Sequence, residues 1–242
     1  MSSTGAATNL PKMSSTSSTA DLLSLSPSCS TAAATLSLPQ HSPSLNHRLE
    51  FLSVTVTDRL SIEKLIEFMH ELIELGAVTL MVPGNLPIGC SSSYLTLFKG
   101  SNKEEYGPET GCLTWLNKFA EYHNELLRIE LNRIQQHNPH TTIIYADYYN
   151  AAMQLCHSPK NFGFTRGALS ACYGGGGSYN YNPSVQCGIP PSTVSGKPSL
   201  FFFWDGLHLT EAAYRWIFRG LFEGPYTVPH ISTLCGSRAQ IA

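Results

Sequence analysis

Apolar residues recur at helical spacing in three segments of the chain. The first spans 61–76, from a serine at the N-cap position to a glycine typical of helix C-termini. The second, Trp115–His137, is long and stops before an Asn-Pro pair, which cannot continue a helix. The third follows Thr210, an N-cap candidate, and spans 210–222. The pattern therefore predicts three helices.

Short apolar or β-branched runs predict the strands. Ala77–Val82 and Thr141–Ala146 are typical of buried strands, and Phe51–Thr57 is a weaker candidate. Asp147 can cap a further helix after the second run, whereas residues 157–200 are rich in Gly and Pro and are predicted to be loop. Helices and strands that alternate in this way indicate an α/β fold with a parallel sheet.

The two ends of the chain differ in composition from its middle. Among residues 1–47, nineteen are Ser or Thr, and Asp21 is the one acidic residue. Such low complexity predicts a disordered tail over 1–50, and its apolar runs are shorter than the roughly 7–15 residues of a signal-peptide core. With a second tail expected over 224–242, the domain is assigned to 51–223.

The charge and hydropathy of the chain bear on whether it binds nucleic acid or spans a membrane. Fifteen basic residues stand against 17 acidic ones, and charged residues make up 13% of the chain. This composition argues against a nucleic-acid-binding surface. No apolar run approaches the roughly 18–20 residues that a membrane span needs. We therefore expect neither nucleic acid nor a membrane span, and the sequence does not indicate an oligomeric state.

Neither a structural metal site nor a phosphate-binding loop is expected from these residues. The seven cysteines contain no Cys-x-x-Cys pair and no zinc-like spacing with histidine. Their wide spacing suits the disulfides of a secreted protein, although an odd number of cysteines cannot all pair internally. The Gly174–Gly177 run follows no predicted strand and lacks the Lys-Ser/Thr of a phosphate-binding loop.

The strongest candidate for chemistry is the Asp-x-x-His motif formed by Asp205 and His208, between an aromatic run and the last predicted helix. A carboxylate can hold one ring nitrogen of an imidazole and leave the other free to take a proton from a hydroxyl. Alone, the spacing favours a capping Asp beside a surface His. With a serine nucleophile, the same pair would complete a catalytic triad.

Three stretches together resemble one family. They are Val82-Pro83-Gly84-Asn85-Leu86-Pro87-Ile88-Gly89-Cys90, Gly111-Cys112-Leu113-Thr114-Trp115-Leu116-Asn117 and Trp204-Asp205-Gly206-Leu207-His208-Leu209-Thr210-Glu211-Ala212-Ala213-Tyr214. In this order and spacing they resemble the C-terminal half of plant GDSL-type esterase/lipases, a branch of the SGNH hydrolases. The resemblance covers about 61–223.

The resemblance implies an α/β/α sandwich on a parallel sheet and a Ser-His-Asp acyl-enzyme mechanism that hydrolyses small carboxylic esters without a cofactor. Asp205 and His208 match the family's helper acid and general base. The family takes its nucleophile from a Gly-Asp-Ser motif and an oxyanion donor from a Gly-x-Asn-Asp motif. The family is usually secreted, which contrasts with the lack of a signal peptide predicted above.

The chain departs from the family pattern in ways that bear on activity. It contains neither Gly-Asp-Ser nor Gly-x-Asn-Asp, so the nucleophile is not found. Tyr173 replaces the cysteine that often follows Cys172, and Ser195 stands where another cysteine is usual, which implies that a common bridge is absent. We expect an incomplete sandwich with an unpaired sheet edge near 77–82, low stability and deficient catalysis. The alternatives are activity through an unrecognised serine and a non-catalytic binding module derived from the ester pocket.

Overall fold

The computed structural model describes residues 61–233, apart from positions 101 and 186. The tail over 1–50 and the candidate strand Phe51–Thr57 lie outside this range, as do residues 234–242. Five helices lie in the described residues: α1 (61–74), α2 (Ser92–Leu97), α3 (Thr114–His137), α4 (Tyr148–His157) and α5 (Glu211–Phe222). The strands in the same residues are β1 (Thr79–Pro83), β2 (Thr142–Ala146), β3 (Gly167–Ala171), β4 (Tyr173–Gly174), β5 (Thr193–Val194), β6 (Phe201–Phe203) and β7 (Thr227–Val228).

The two apolar runs predicted as strands form the parallel pair at the centre of the fold. β1 and β2 pair from Thr79 opposite Thr142 to Pro83 opposite Ala146. The long helix α3 connects them, which is the crossover that parallel strands require. β7 adds an antiparallel strand to the far side of β2, so β1 lies at one edge of this sheet within the described residues.

The side chains of β2 alternate between two apolar clusters, one on each face of the sheet. Helices cover both faces. Ile143 and Tyr145 lie in a cluster with residues of α1, α3 and β1. Ala146 lies in a second cluster, which is built mainly from α4, α5 and β6. This arrangement of helices on both faces of a sheet is the expected α/β/α sandwich.

Helix ends follow the predicted chemistry. The Asp147 carboxylate accepts a hydrogen bond from the Asn150 amide at 3.0 Å and caps α4. Thr210 Oγ1 accepts one from the Ala213 amide at 3.2 Å and caps α5. Gly76 has φ +97°, a left-handed conformation that favours glycine after a helix. These local signals mark the starts of α4 and α5 and the end of α1.

Two segments are more regular than the sequence predicted. The loop predicted over 157–200 contains β3, which pairs in parallel with β6, and the antiparallel hairpin of β4 and β5. The segment after α5 is also not a loose tail as far as residue 233. β7 pairs with β2, and the Thr227 hydroxyl accepts a hydrogen bond from the Ile231 amide at 3.0 Å. β4, β5 and β7 have two residues each, too few for a recognisable apolar alternation, and β3 has little apolar character.

None of the described helices is long and apolar enough to cross a membrane. Apolar side chains are nevertheless exposed around the edge strand β1. Val78 is 68% exposed, and Met81 on the strand itself is also exposed. Phe68 and Leu75 of the neighbouring segment are exposed too. The unpaired edge expected near 77–82 is therefore present in the described part of the chain.

Candidate active site

Asp205 and His208 form the contact that their spacing predicted. One carboxylate oxygen, Oδ2, lies 2.7 Å from His208 Nδ1. The other, Oδ1, accepts the backbone amides of Leu207 at 3.1 Å and of His208 at 2.8 Å. All the bonds come from the same short turn, so the carboxylate is fixed by the backbone that it caps.

The pair differs sharply in exposure between its two members. The Asp205 side chain is 21% exposed, whereas that of His208 is 61% exposed. An Nδ1–H donated to the carboxylate makes Nε2 the acceptor in a neutral imidazole. The arrangement thus presents a basic ring nitrogen toward the surface, with its tautomer set by a half-buried acid.

The turn between the two residues depends on a glycine. Gly206 has φ +95°, and a Cβ at this position would lie 2.6 Å from the ring of Tyr181. Across the base of the turn, the Trp204 amide donates to the His208 carbonyl at 2.8 Å. A side chain at position 206 would therefore meet both backbone strain and a steric clash.

A buried serine cluster contacts this turn from a segment 115 residues away. The Ser91 hydroxyl donates to the Gly206 carbonyl at 2.5 Å, and the Ser93 amide donates to the same oxygen at 3.0 Å. Sequence reasoning did not find Ser91 and Ser93, because no local pattern links them to the turn. The one available signal was their position directly after the first of the three family-like stretches.

The first and second family-like stretches are also joined to each other. Cys90 and Cys112 form a buried disulfide. Beside it, the Gly89 amide donates to Asn117 Oδ1 at 2.8 Å, and the Leu113 amide donates to the Gly89 carbonyl at 2.8 Å. Because Ser91 follows Cys90 directly, all three stretches meet on one side of the molecule.

The described residues show no serine hydroxyl hydrogen-bonded to His208. The hydroxyls of the buried serines nearest the turn are occupied elsewhere: Ser91 bonds to Gly206, and Ser92 donates to the Leu169 carbonyl at 2.7 Å. The structure therefore brings the predicted acid and base together and identifies no nucleophile in the part that it describes.

Three sulfur atoms meet in the core beside the site. The Sγ atoms of Cys90, Cys112 and Cys156 lie within 4.8 Å of one another, a cluster that the sequence spacing did not predict. Two of them form the disulfide, which leaves one thiol. Burial raises the pKa of the Cys156 thiol to about 12. With two sulfurs bonded to each other, this cluster offers a metal ion one sulfur ligand.

Cys172 is also a free, buried thiol. Its Sγ lies 4.0 Å from the Ser195 carbonyl oxygen, and the Ser195 amide donates to the Cys172 carbonyl at 3.0 Å. Ser195 therefore lies directly beside Cys172. The free thiol agrees with the bridge that the resemblance implied to be absent.

Comparison with known proteins agrees with this geometry. The family model described as GDSL-like Lipase/Acylhydrolase matches residues 55–221, more than half of the chain. The chain is 52% identical over 182 residues to GDSL esterase/lipase At1g28610 of Arabidopsis thaliana, covering 75% of this chain and 48% of that protein. It is 41% identical over 182 residues to sinapine esterase of Brassica napus, covering 75% and 47%. The chain thus spans about half the length of the curated relatives it matches.

Proposed function

This chain belongs to the GDSL-like lipase/acylhydrolase family, and we propose that it carries the general base and the helper acid of a Ser-His-Asp ester hydrolase. The single observation that supports this role most strongly is the 2.7 Å contact between Asp205 and His208. The proposal assigns the base to His208 and the helper acid to Asp205.

In the proposed reaction, His208 Nε2 takes the proton of a serine hydroxyl as that oxygen attacks the ester carbonyl. The resulting imidazolium then gives the proton to the departing alkoxide, which leaves an acyl-enzyme. In the second half, the same nitrogen takes a proton from water, and the acid product leaves as the serine is restored. The high exposure of His208 leaves its free nitrogen accessible to a substrate.

Asp205 holds the imidazole in the tautomer with hydrogen on Nδ1 and stabilises the imidazolium by its charge. Its two hydrogen bonds from backbone amides fix the orientation of the carboxylate that this role needs. Replacement by Asn would keep the shape but lose both the charge and the control of the tautomer.

We further propose that the 242-residue chain alone does not complete the reaction. Without a nucleophile, an Asp-His pair cannot form an acyl-enzyme, and losing one oxyanion donor alone typically costs about 10²–10³ in rate. The lack of a Gly-Asp-Ser motif in the sequence supports this proposal. The occupied hydroxyls of Ser91 and Ser92 support it as well.

The proposed substrates are small carboxylic esters. The names of the relatives support this class, including the Brassica napus protein named as an esterase of sinapine. We also propose an oxidising, secretory compartment, because the Cys90–Cys112 disulfide is of a kind that persists there and is rare in the cytosol.

A binding module derived from the ester pocket would require a formed apolar cleft beside Trp204 and His208. A depression of about 390 Å³ in the described residues lies elsewhere, between α1 and α3, and its lining includes Ile66 and Ile134. No observation therefore favours the binding module over the hydrolase assignment.

A chimera tests the assigned roles directly. The portion of the Arabidopsis thaliana relative that this chain does not span would be joined before residue 61, and hydrolysis of p-nitrophenyl acetate would be measured. We expect activity that His208→Ala lowers by at least about 10³-fold, with a comparable loss in Asp205→Asn. A folded, active chimera that keeps its rate in both variants would contradict the assignment.

A further inference from the structure

We infer that Ser91 is a positioning residue for the Asp205–His208 pair, acting through the carbonyl oxygen of Gly206. The inference rests on the proposed function, since it assigns a task to a group that supports the base. Ser91 itself is 3% exposed and has no access to a substrate. Its role is therefore to fix the turn and not to react.

The Gly206 carbonyl is held by two donors from the same segment. The Ser91 hydroxyl lies 2.5 Å away and the Ser93 amide 3.0 Å away. Ser91 Oγ also lies 2.7 Å from Ser93 Oγ. Because the one Ser91 proton points to Gly206, the Ser93 hydroxyl must donate to Ser91 Oγ. A chain of two hydroxyls thus ends on a single carbonyl oxygen.

The held oxygen belongs to the peptide group that also serves the carboxylate. The Gly206 carbonyl and the Leu207 amide share one planar unit, so fixing the oxygen fixes the direction of the N–H. That N–H donates to Asp205 Oδ1 at 3.1 Å. Oδ2 of the same carboxylate contacts His208 Nδ1. Three consecutive contacts therefore connect Ser91 to the imidazole.

The contact from Ser91 adds external support to a turn that is otherwise closed by its own hydrogen bonds, such as that from the Trp204 amide to the His208 carbonyl. Leu207 and His208 are both exposed, so packing does not hold the imidazole in place. Gly206 is the member of the turn that packs inward, with the Tyr181 ring against its α-carbon and the serines at its carbonyl. Removing the Ser91 hydroxyl leaves the Ser93 amide as the one remaining donor to the Gly206 carbonyl. The peptide plane between Gly206 and Leu207 is then free to rotate over a wider range.

The test is nuclear magnetic resonance of the His208 side chain in the full 242-residue chain. The Nδ1–H resonance and the ring nitrogen shifts report the hydrogen bond to Asp205 and the tautomer. Ser91→Ala is compared with Ser92→Ala, a matched control from the same segment. The Ser92 hydroxyl is equally buried but donates to the Leu169 carbonyl, away from the turn. Thermal unfolding of each variant is recorded in parallel.

We expect Ser91→Ala to weaken the Nδ1–H signal and to speed exchange of this proton with water by roughly fivefold. This factor corresponds to the free energy of one hydrogen bond of ordinary strength. Ser92→Ala should lower the melting temperature by a similar amount and leave the resonance unchanged. Ser91→Thr, which keeps a hydroxyl, should restore the signal.

Two outcomes would overturn the inference. One is an unchanged His208 signal in Ser91→Ala despite a loss of stability, and the other is an equal change in Ser92→Ala. Failure of the proposed function is recognised separately. In that case Asp205→Asn would leave the His208 Nδ1–H signal of the original chain unchanged, and the residue at position 91 would make no difference.

Discussion

At the scale of single residues, burial separates the groups that can react from those that cannot. The proposed base, His208, is exposed while the proposed helper acid, Asp205, is half-buried, so the imidazole meets solvent and the carboxylate stays bound to the backbone. The three free thiols of the described residues divide in the same way. Cys156 and Cys172 are buried, and Cys187 is exposed.

The described free cysteines should therefore differ in their rates of alkylation. Burial raises the pKa of Cys156 to about 12, so its thiolate is scarce at neutral pH and its sulfur is inaccessible. Treatment with iodoacetamide at pH 8, followed by peptide mapping, should label Cys187 first and Cys156 only in denaturant. Labelling of Cys156 as fast as Cys187 in the folded chain would contradict this order.

Two buried tyrosines should make the fold sensitive to alkali. Burial raises the pKa values of Tyr145 and Tyr149 above the ordinary value of 10, and the hydrogen bond from Tyr149 to Glu121 adds to the second shift. Below pH 10 both states hold the proton, and the contribution to stability is complete. Above it, the unfolded state ionises first, so stability falls by up to roughly 1.4 kcal/mol per pH unit per tyrosine.

Urea unfolding between pH 8 and pH 11 measures this dependence. The variants Tyr145→Phe and Tyr149→Phe should each show a shallower loss of unfolding free energy above pH 10 than the original chain. An equally steep loss in the double variant would show that other groups cause it.

At the scale of elements, the pairing of β4 with β5 shows the consequence of having a serine, and not a cysteine, at position 195. Tyr173 pairs with Val194, so the antiparallel register places Cys172 opposite Ser195. Opposed residues of such a ladder have α-carbons about 4.5–5.5 Å apart, which is within the range of a disulfide. The hairpin is thus built to accept a bridge that its sequence lacks.

Ser195→Cys should form a disulfide with Cys172 and raise the free energy of unfolding by about 2–4 kcal/mol. Thiol titration and thermal melting would detect the bridge and its effect. Val194→Cys is the matched control. The side chain at position 194 points to the face opposite to that of position 195, so a cysteine there should stay reduced. A free thiol at position 195 under oxidising conditions would show that the side chains do not meet.

The sequence predicted the elements that have strong local signals. Strand β2, helix α3 and the caps at Asp147 and Thr210 follow from apolar runs and capping residues, and the structure confirms them. β3 was missed because Gly167–Ala171 has little apolar character, and most of its residues are only partly buried. β3 pairs with β6, about 30 residues later in the chain. A local sequence pattern cannot predict a pairing over that distance.

The same distinction applies to the candidate site. The Asp205–His208 contact lies within one turn, so its spacing predicted it. The contact of Ser91 with Gly206 joins positions 115 residues apart, and nothing in either local sequence specifies it. Long-range hydrogen bonds of this kind depend on how the three family-like stretches pack together, which only the folded structure shows.

At the scale of the whole molecule, we expect the edge strand β1 to limit stability. It has no second partner within the described residues, and Val78 and Met81 beside its edge are exposed. Exposed apolar surface and unpaired strand groups forgo burial energy and favour association with other chains. The matched segment covers only about half of the length of such a relative, so the relatives have additional residues that could cover such an edge.

We therefore expect the isolated chain to melt below about 60 °C, in the lower part of the range of ordinary domains. Circular dichroism at several protein concentrations gives the melting temperature and shows any association. Introducing charge at the edge by Met81→Lys should reduce concentration-dependent association. A cooperative melt well above this temperature would contradict the expectation of low stability.

The most direct test of the central claim is labelling of the purified 242-residue chain with a fluorophosphonate probe, read by intact mass. We propose that this chain carries the base and helper acid of the hydrolase, and its described residues present no nucleophile, so no adduct is expected on a chain shown to be folded. A relative with the complete motif serves as the positive control. A single modified serine that disappears in His208→Ala would contradict the account and establish a working nucleophile.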